Sequence, residues 1–173
     1  DLSFYTTAAE RRTVASPLEQ QDAHYNFYLG HIPEGRERVP LENKVLHNDL
    51  YNNIDALYGQ GQDGLFIRLI CKPGSDPDDI RMDFDGQTAQ SVTSGVLTIE
   101  TLLEDLYLPQ PTAVLISSEG TETAITAWQP AYSIGGDGKI GITTGSYDGS
   151  KTLVIKIGRD REDDNPEEVY WST

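Results

Sequence analysis

The 173-residue chain holds a single cysteine, Cys71, so no disulfide can form within it. Cys71 lies in an alternating apolar run with no electropositive neighbour to lower its pKa, which marks a small core residue rather than a reactive thiol. Basic residues are scarce: 13 Lys and Arg face 28 Asp and Glu, a formal net charge of −15. That balance excludes binding to a phosphate backbone, which needs cations to release counterions, and disfavours an anionic lipid surface. No apolar run approaches the roughly 18 residues that a membrane-spanning helix needs, so no membrane insertion is expected. No signal peptide is read, and Asp1 fits a processed N-terminus or an arbitrary boundary equally well. The three histidines, His24, His31 and His47, lack zinc-ligand spacing. No Asn-x-Ser/Thr acceptor, nucleophile elbow or evident general base occurs, so the chain is expected not to be an enzyme.

What is present points to strands. Sixteen glycines and nine prolines accompany many Thr, Ile, Val and Tyr residues, a composition suited to short strands and tight turns. Within 65–86, LFIRLICKPGSDPDDIRMDFDG, Leu65, Ile67, Leu69 and Cys71 fall two apart, as do Ile80, Met82 and Phe84. Period-two alternation is the mark of a strand with one buried face. The Pro73–Pro77 cluster between the runs predicts a turn that folds the chain back on itself. Further strands are predicted at 95–100, 112–117, 121–128, 139–144 and 152–157, separated by SSEG, GGDG and SYDGS. In TIETLLEDL, Ile99, Leu102, Leu103 and Leu106 also fit helical spacing, so 98–106 reads as either helix or strand. The expected fold is an all-β sandwich of short, mostly antiparallel strands with strand-like arms.

Three regions follow: an N-terminal arm over 1–16, a β-sandwich domain over 17–158, and an acidic tail over 159–173 that ends in the strand-like VYWST. Aromatic pieces HYNFYLG and LYNNIDALYG open the domain, separated by the turn-rich HIPEGRERVP. The tail segment DREDDNPEE has six acidic residues and reads as a solvated spacer.

Gly59-Gln-Gly61-Gln-Asp-Gly64 matches G-x-G-x-x-G, but it lies between two strand-like runs and opens no helix, so it predicts a hairpin turn rather than a dinucleotide site. No cofactor is expected apart from calcium, for which Asp76, Asp78, Asp79 and Asp137 are the candidate ligands, because acidic turns supply the oxygens that calcium takes. Asp83, Asp85, Asp163 and Asp164 also lie in acidic stretches, where Asp and Gly are ordinary turn formers as well. Tyr25, Phe27, Tyr28, Tyr51 and Tyr58 are candidates for stacking on a glycan, although aromatic residues equally fill sandwich cores.

The motif order resembles a family of all-β domains of unknown function found immediately before SBBP-type β-propeller repeats in bacterial surface proteins. The resemblance rests on YNFYLG at 25–30, Val39-Pro40, DLYNNIDALYG at 49–59, the 65–86 segment, and GGDGKIGITTGSYDGSKTLVI near the end. It spans roughly 24–157. Ile157-Gly158-Arg159-Asp160 stands where the family closes on I-D-P, and VYWST faintly echoes the opening of such repeats. The resemblance implies a secreted or cell-surface bacterial module and carries over no catalytic residue.

The expected role is therefore a non-enzymatic structural or adhesive module. Its arms, through Leu2, Phe4, Tyr5, Val169, Tyr170 and Trp171, are candidates for strand pairing with copies of itself. Such head-to-tail pairing would grow a filament. The alternative is a glycan- or calcium-binding recognition module.

Overall fold

A computed structural model describes residues 2–5, 10–11, 15–29, 32–60 and 64–159; before Lys44, side chains are described only for Phe4, Ser16 and Pro17. The fold is all-β, as expected. Among the described residues three antiparallel sheets share one core. The largest has the order β12-β11-β15-β6-β5-β4-β3, built from β3 (Ala15–Leu29), β4 (Ile32–Tyr51), β5 (Ile54–Gln60), β6 (Leu65–Cys71), β11 (Thr112–Ile116), β12 (Glu122–Ala124) and β15 (Thr152–Ile157). The second runs β13-β14-β7-β1-β2, from β1 (Leu2–Tyr5), β2 (Glu10–Arg11), β7 (Met82–Phe84), β13 (Ala131–Ile134) and β14 (Ile140–Thr143). The third is a meander of β8 (Gln87–Thr93), β9 (Val96–Thr101) and β10 (Leu106–Leu108).

The alternation in 65–86 reports burial correctly but not connection. Ile67, Leu69 and Cys71 and then Ile80, Met82 and Phe84 all enter the same core. Yet β6 pairs with β5 and β15, whereas β7 pairs with β1 and β14. The Pro73–Pro77 stretch, continued by a 3-10 turn over Pro77–Asp79, does not fold the chain back. It carries the chain from one layer to the other, so two period-two runs in sequence become opposing faces of a sandwich. Tyr51 bolts the layers at this crossing. Its hydroxyl donates to the Arg81 carbonyl and accepts from the Arg81 amide, both at 3.0 Å.

The turn-rich HIPEGRERVP also departs from expectation, because it lies almost wholly within β4. Among the described residues the β5 partners of β4 begin at Lys44, so residues 32–43 have β3 as their one described partner and form a local edge. An edge tolerates Pro33 and Pro40, and the β3–β4 ladder accommodates the rest through three register shifts. The predicted 121–128 strand shrinks to Glu122–Ala124.

The helix-or-strand segment resolves as a hairpin. Leu106, Tyr107 and Leu108 pair with Ile99, Thr98 and Leu97. The preceding β8–β9 hairpin turns on Ser94-Gly95, both at positive φ (51° and 82°), the conformation of a two-residue primed turn. The G-x-G-x-x-G segment joins β5 to β6, whose register closes on Gln60↔Leu65, as the hairpin reading requires.

Candidate functional site

Three places carry the chemistry that the sequence offers. The first is the junction of β7 with β1. β7 is three residues long and sends Met82 and Phe84 into the core. On the β14 side it has one partner pair, Ile140↔Met82. On the β1 side the register runs Leu2↔Phe84, Ser3↔Asp83 and Phe4↔Met82. Most of the ladder of β7 therefore comes from β1. β1 in turn pairs with β2 through Phe4↔Arg11 and Tyr5↔Glu10, so the two form a hairpin laid on the edge of β7. Phe4 is 5% exposed and belongs to the core. The segment read as an arm thus supplies, within its own chain, a strand to the second sheet. Leu2 and Tyr5 lie on that strand, while Val169, Tyr170 and Trp171 lie outside the described residues.

The second place is a cleft of about 720 Å³ between the β9–β10 hairpin and the ends of β6, β11 and β15. Leu65, Val96 and Leu106 give it aliphatic walls, Tyr107 stands at it, and Lys156 and Arg159 bring positive charge. Lys156 Nζ also reaches both carboxylate oxygens of Glu122 at 3.3 Å. The floor is fixed by Arg68, which is fully buried and donates to the carbonyls of Ile157 and Gly158 at 3.1 Å with its guanidinium over the Phe66 ring. Gly158 sits at φ +68°, and a Cβ there would come within 2.5 Å of the Leu65 carbonyl oxygen. Glycine alone lets β15 end against β6 at this point. Composition and period gave no sign of this cleft, because its walls come from four separate stretches.

The third place is the set of acidic turns. Asp76, Asp78 and Asp79 gather around the 3-10 turn, where the Asp76 side chain caps the turn by accepting the Asp78 amide at 3.0 Å. The Asp78 carbonyl accepts from the Arg81 guanidinium. Asp137 serves a different turn, the β13–β14 connection, and accepts the Lys139 amide at 3.1 Å. Among the described residues no group of three or more His, Cys, Asp or Glu is arranged to hold a metal ion. Asp83 takes an ion pair from Lys139 and accepts from the Gln87 side-chain Nε2 at 2.8 Å.

Of the aromatic candidates, Tyr51 is buried at the layer crossing and Tyr58 is half-buried, with its hydroxyl 2.9 Å from His47 Nε2. The side chains of Tyr25, Phe27 and Tyr28 lie outside the described residues. Cys71 is fully buried, and burial pushes its thiol up to about 12, which suits the core role read from its strand face.

Fold and site together define an all-β, sandwich-like module in which one short strand is completed by a distant segment. Within that class, the chain belongs to a family described as a domain of unknown function, DUF7948, whose model matches residues 2–156. The match includes β1, so the first strand falls within the family domain. Neither the curated proteins nor the solved structures contain a match.

Proposed function

We propose that this chain is a non-enzymatic structural or adhesive module of a bacterial surface that joins copies of itself by exchanging the β1–β2 hairpin. One observation carries the reading: β7 contributes Met82 and Phe84 to the core yet takes most of its ladder from β1. A strand completed in this way can be completed equally well by the same hairpin from a neighbour, with identical backbone bonds and the same pocket for Phe4. In chain order the hairpin precedes β3, and exchange of an identical terminal element between copies is a low-cost route to assembly.

The resemblance to domains that precede SBBP-type propeller repeats supports a secreted, cell-surface setting, and the charge of −15 suits a self-repelling, soluble surface. VYWST at the other end is a second candidate donor. Light scattering and electron microscopy of the full chain test the proposal. Concentration-dependent oligomers or filaments that vanish when residues 1–11 are deleted support it, and an unchanged mass distribution removes the hairpin from it. Calcium calorimetry and a glycan array test the alternative role as a recognition module.

A further inference from the structure

The β9–β10 hairpin ends in a tip whose exposure folding does not require. Leu102 is 89% and Leu103 98% exposed, at a turn where polar residues ordinarily stand. The turn is not slack. Thr101 Oγ1 donates to the Glu104 carbonyl at 2.8 Å and accepts the amides of Leu103 and Glu104 at 3.2 Å. Asp105 Oδ1 closes the loop by accepting the Thr101 amide at 3.3 Å. Both leucines are therefore held outward by bonds already made, so covering them costs little ordering entropy.

The chemistry beside them narrows what covers them. Exposed Glu100 and Glu104, with half-buried Asp105, make the tip an apolar point in an acidic collar. An anionic bilayer repels such a collar. The cleft beside the same hairpin is its complement: aliphatic walls from Leu65, Val96 and Leu106, with exposed Arg159 and with Lys156, which also pairs with Glu122. Its volume, about 720 Å³, lies within the range of sites that enclose ligand-sized groups.

We infer that the Leu102–Leu103 tip of one copy seats in the aliphatic, cationic cleft of a second copy of this chain. The tip and one wall of the cleft belong to the same hairpin, and a two-fold axis that seats one tip in the other copy's cleft seats both, a self-complementary contact. Burying each leucine favours the pair, and the collar charges set its orientation and make it salt-sensitive. The inference deepens the self-association reading with a contact that needs no strand exchange.

Sedimentation velocity of the full chain from micromolar to millimolar concentration tests it. The test uses a background in which Ser3→Cys and Asp83→Cys lock β1 to its own β7, so strand exchange cannot contribute. The locked protein is expected to associate. Adding L102S and L103S should weaken that association by roughly tenfold or more, a minimum for losing two buried leucines. All four leucine and charge changes lie at exposed positions, and an unchanged melting temperature checks folding. E104R or R159E alone should each weaken association by like-charge opposition, and mixing the two variants should restore it. A locked protein that stays monomeric at millimolar concentration, tip variants that associate as strongly as the parent, or a mixture that fails to recover would each overturn the inference.

Discussion

The centre of the seven-stranded sheet and the β1–β7 junction bury their residues by different means. Along β6 every residue from Phe66 to Leu69 is fully buried, the charged Arg68 included, and both neighbours, β5 and β15, pair along its length. Cys71 completes that strand with a thiol that solvent does not reach. At the junction, by contrast, three residues of β7 depend on a four-residue strand from far away in sequence. The first region is held by redundancy, so no single pairing is critical to it. The second has little, one β14 pair beside the β1 ladder, and the proposed exchange rests on that contrast.

Predicted effects follow that contrast from large to small. Arg68→Ala should cost about 4 kcal/mol in urea denaturation, because it leaves buried carbonyls without their donor and opens a void beside Phe66. Alkylation of Cys71 should accelerate in step, since the thiol reacts only when the sheet opens; a variant as stable as the parent would show that the floor of the cleft does not depend on Arg68. Phe4→Ala should cost about 3 kcal/mol through the cavity it leaves. In the parent, amide exchange in β7 should be faster than in β6, and Phe4→Ala should speed it further while β6 stays protected. Equal losses in both strands would erase the distinction between the regions.

Asp76→Ala should cost about 1 kcal/mol, the usual value of a lost N-terminal cap. If the acidic turn serves only the layer crossing, that loss is the same with calcium and with a chelator, as thermal melts would read. A calcium-dependent difference would restore Asp76 as a ligand.

The smallest effect is on pH. Burial lowers the His47 pKa below its usual 6.5. The folded protein then binds fewer protons there than the unfolded chain, so stability rises with pH and is lost as pH falls from about 6.5 toward the lower folded value. His47→Gln should flatten that part of the stability profile slightly, because the ring is half-exposed.

Much of the fold was legible in the sequence. Period-two runs located β6 and β7, and apolar runs set between Gly-rich turns located β9, β11, β14 and β15. Pairing was not legible, since alternation records which face is buried and not which strand lies alongside. That is why 65–86 read as strands folded back, although its halves belong to different sheets. The leucines of TIETLLEDL show the same limit. Ile99 and Leu106 are apolar because they are packed, whereas Leu102 and Leu103 are apolar at an exposed tip, and helical spacing treats all four alike. Arg68 gave no signal at all, because the carbonyls that receive it come from Ile157 and Gly158, some ninety residues away.

The central claim is that β1 on β7 is a site shared between copies. Ser3 and Asp83 are register partners, so copies carrying Ser3→Cys alone, mixed under mild oxidation with copies carrying Asp83→Cys alone, test it directly. Exchange predicts covalent pairs of the two variants, with buried Cys71 left unmodified. Failure of the mixture to cross-link, while the double variant closes within one chain, would contradict it.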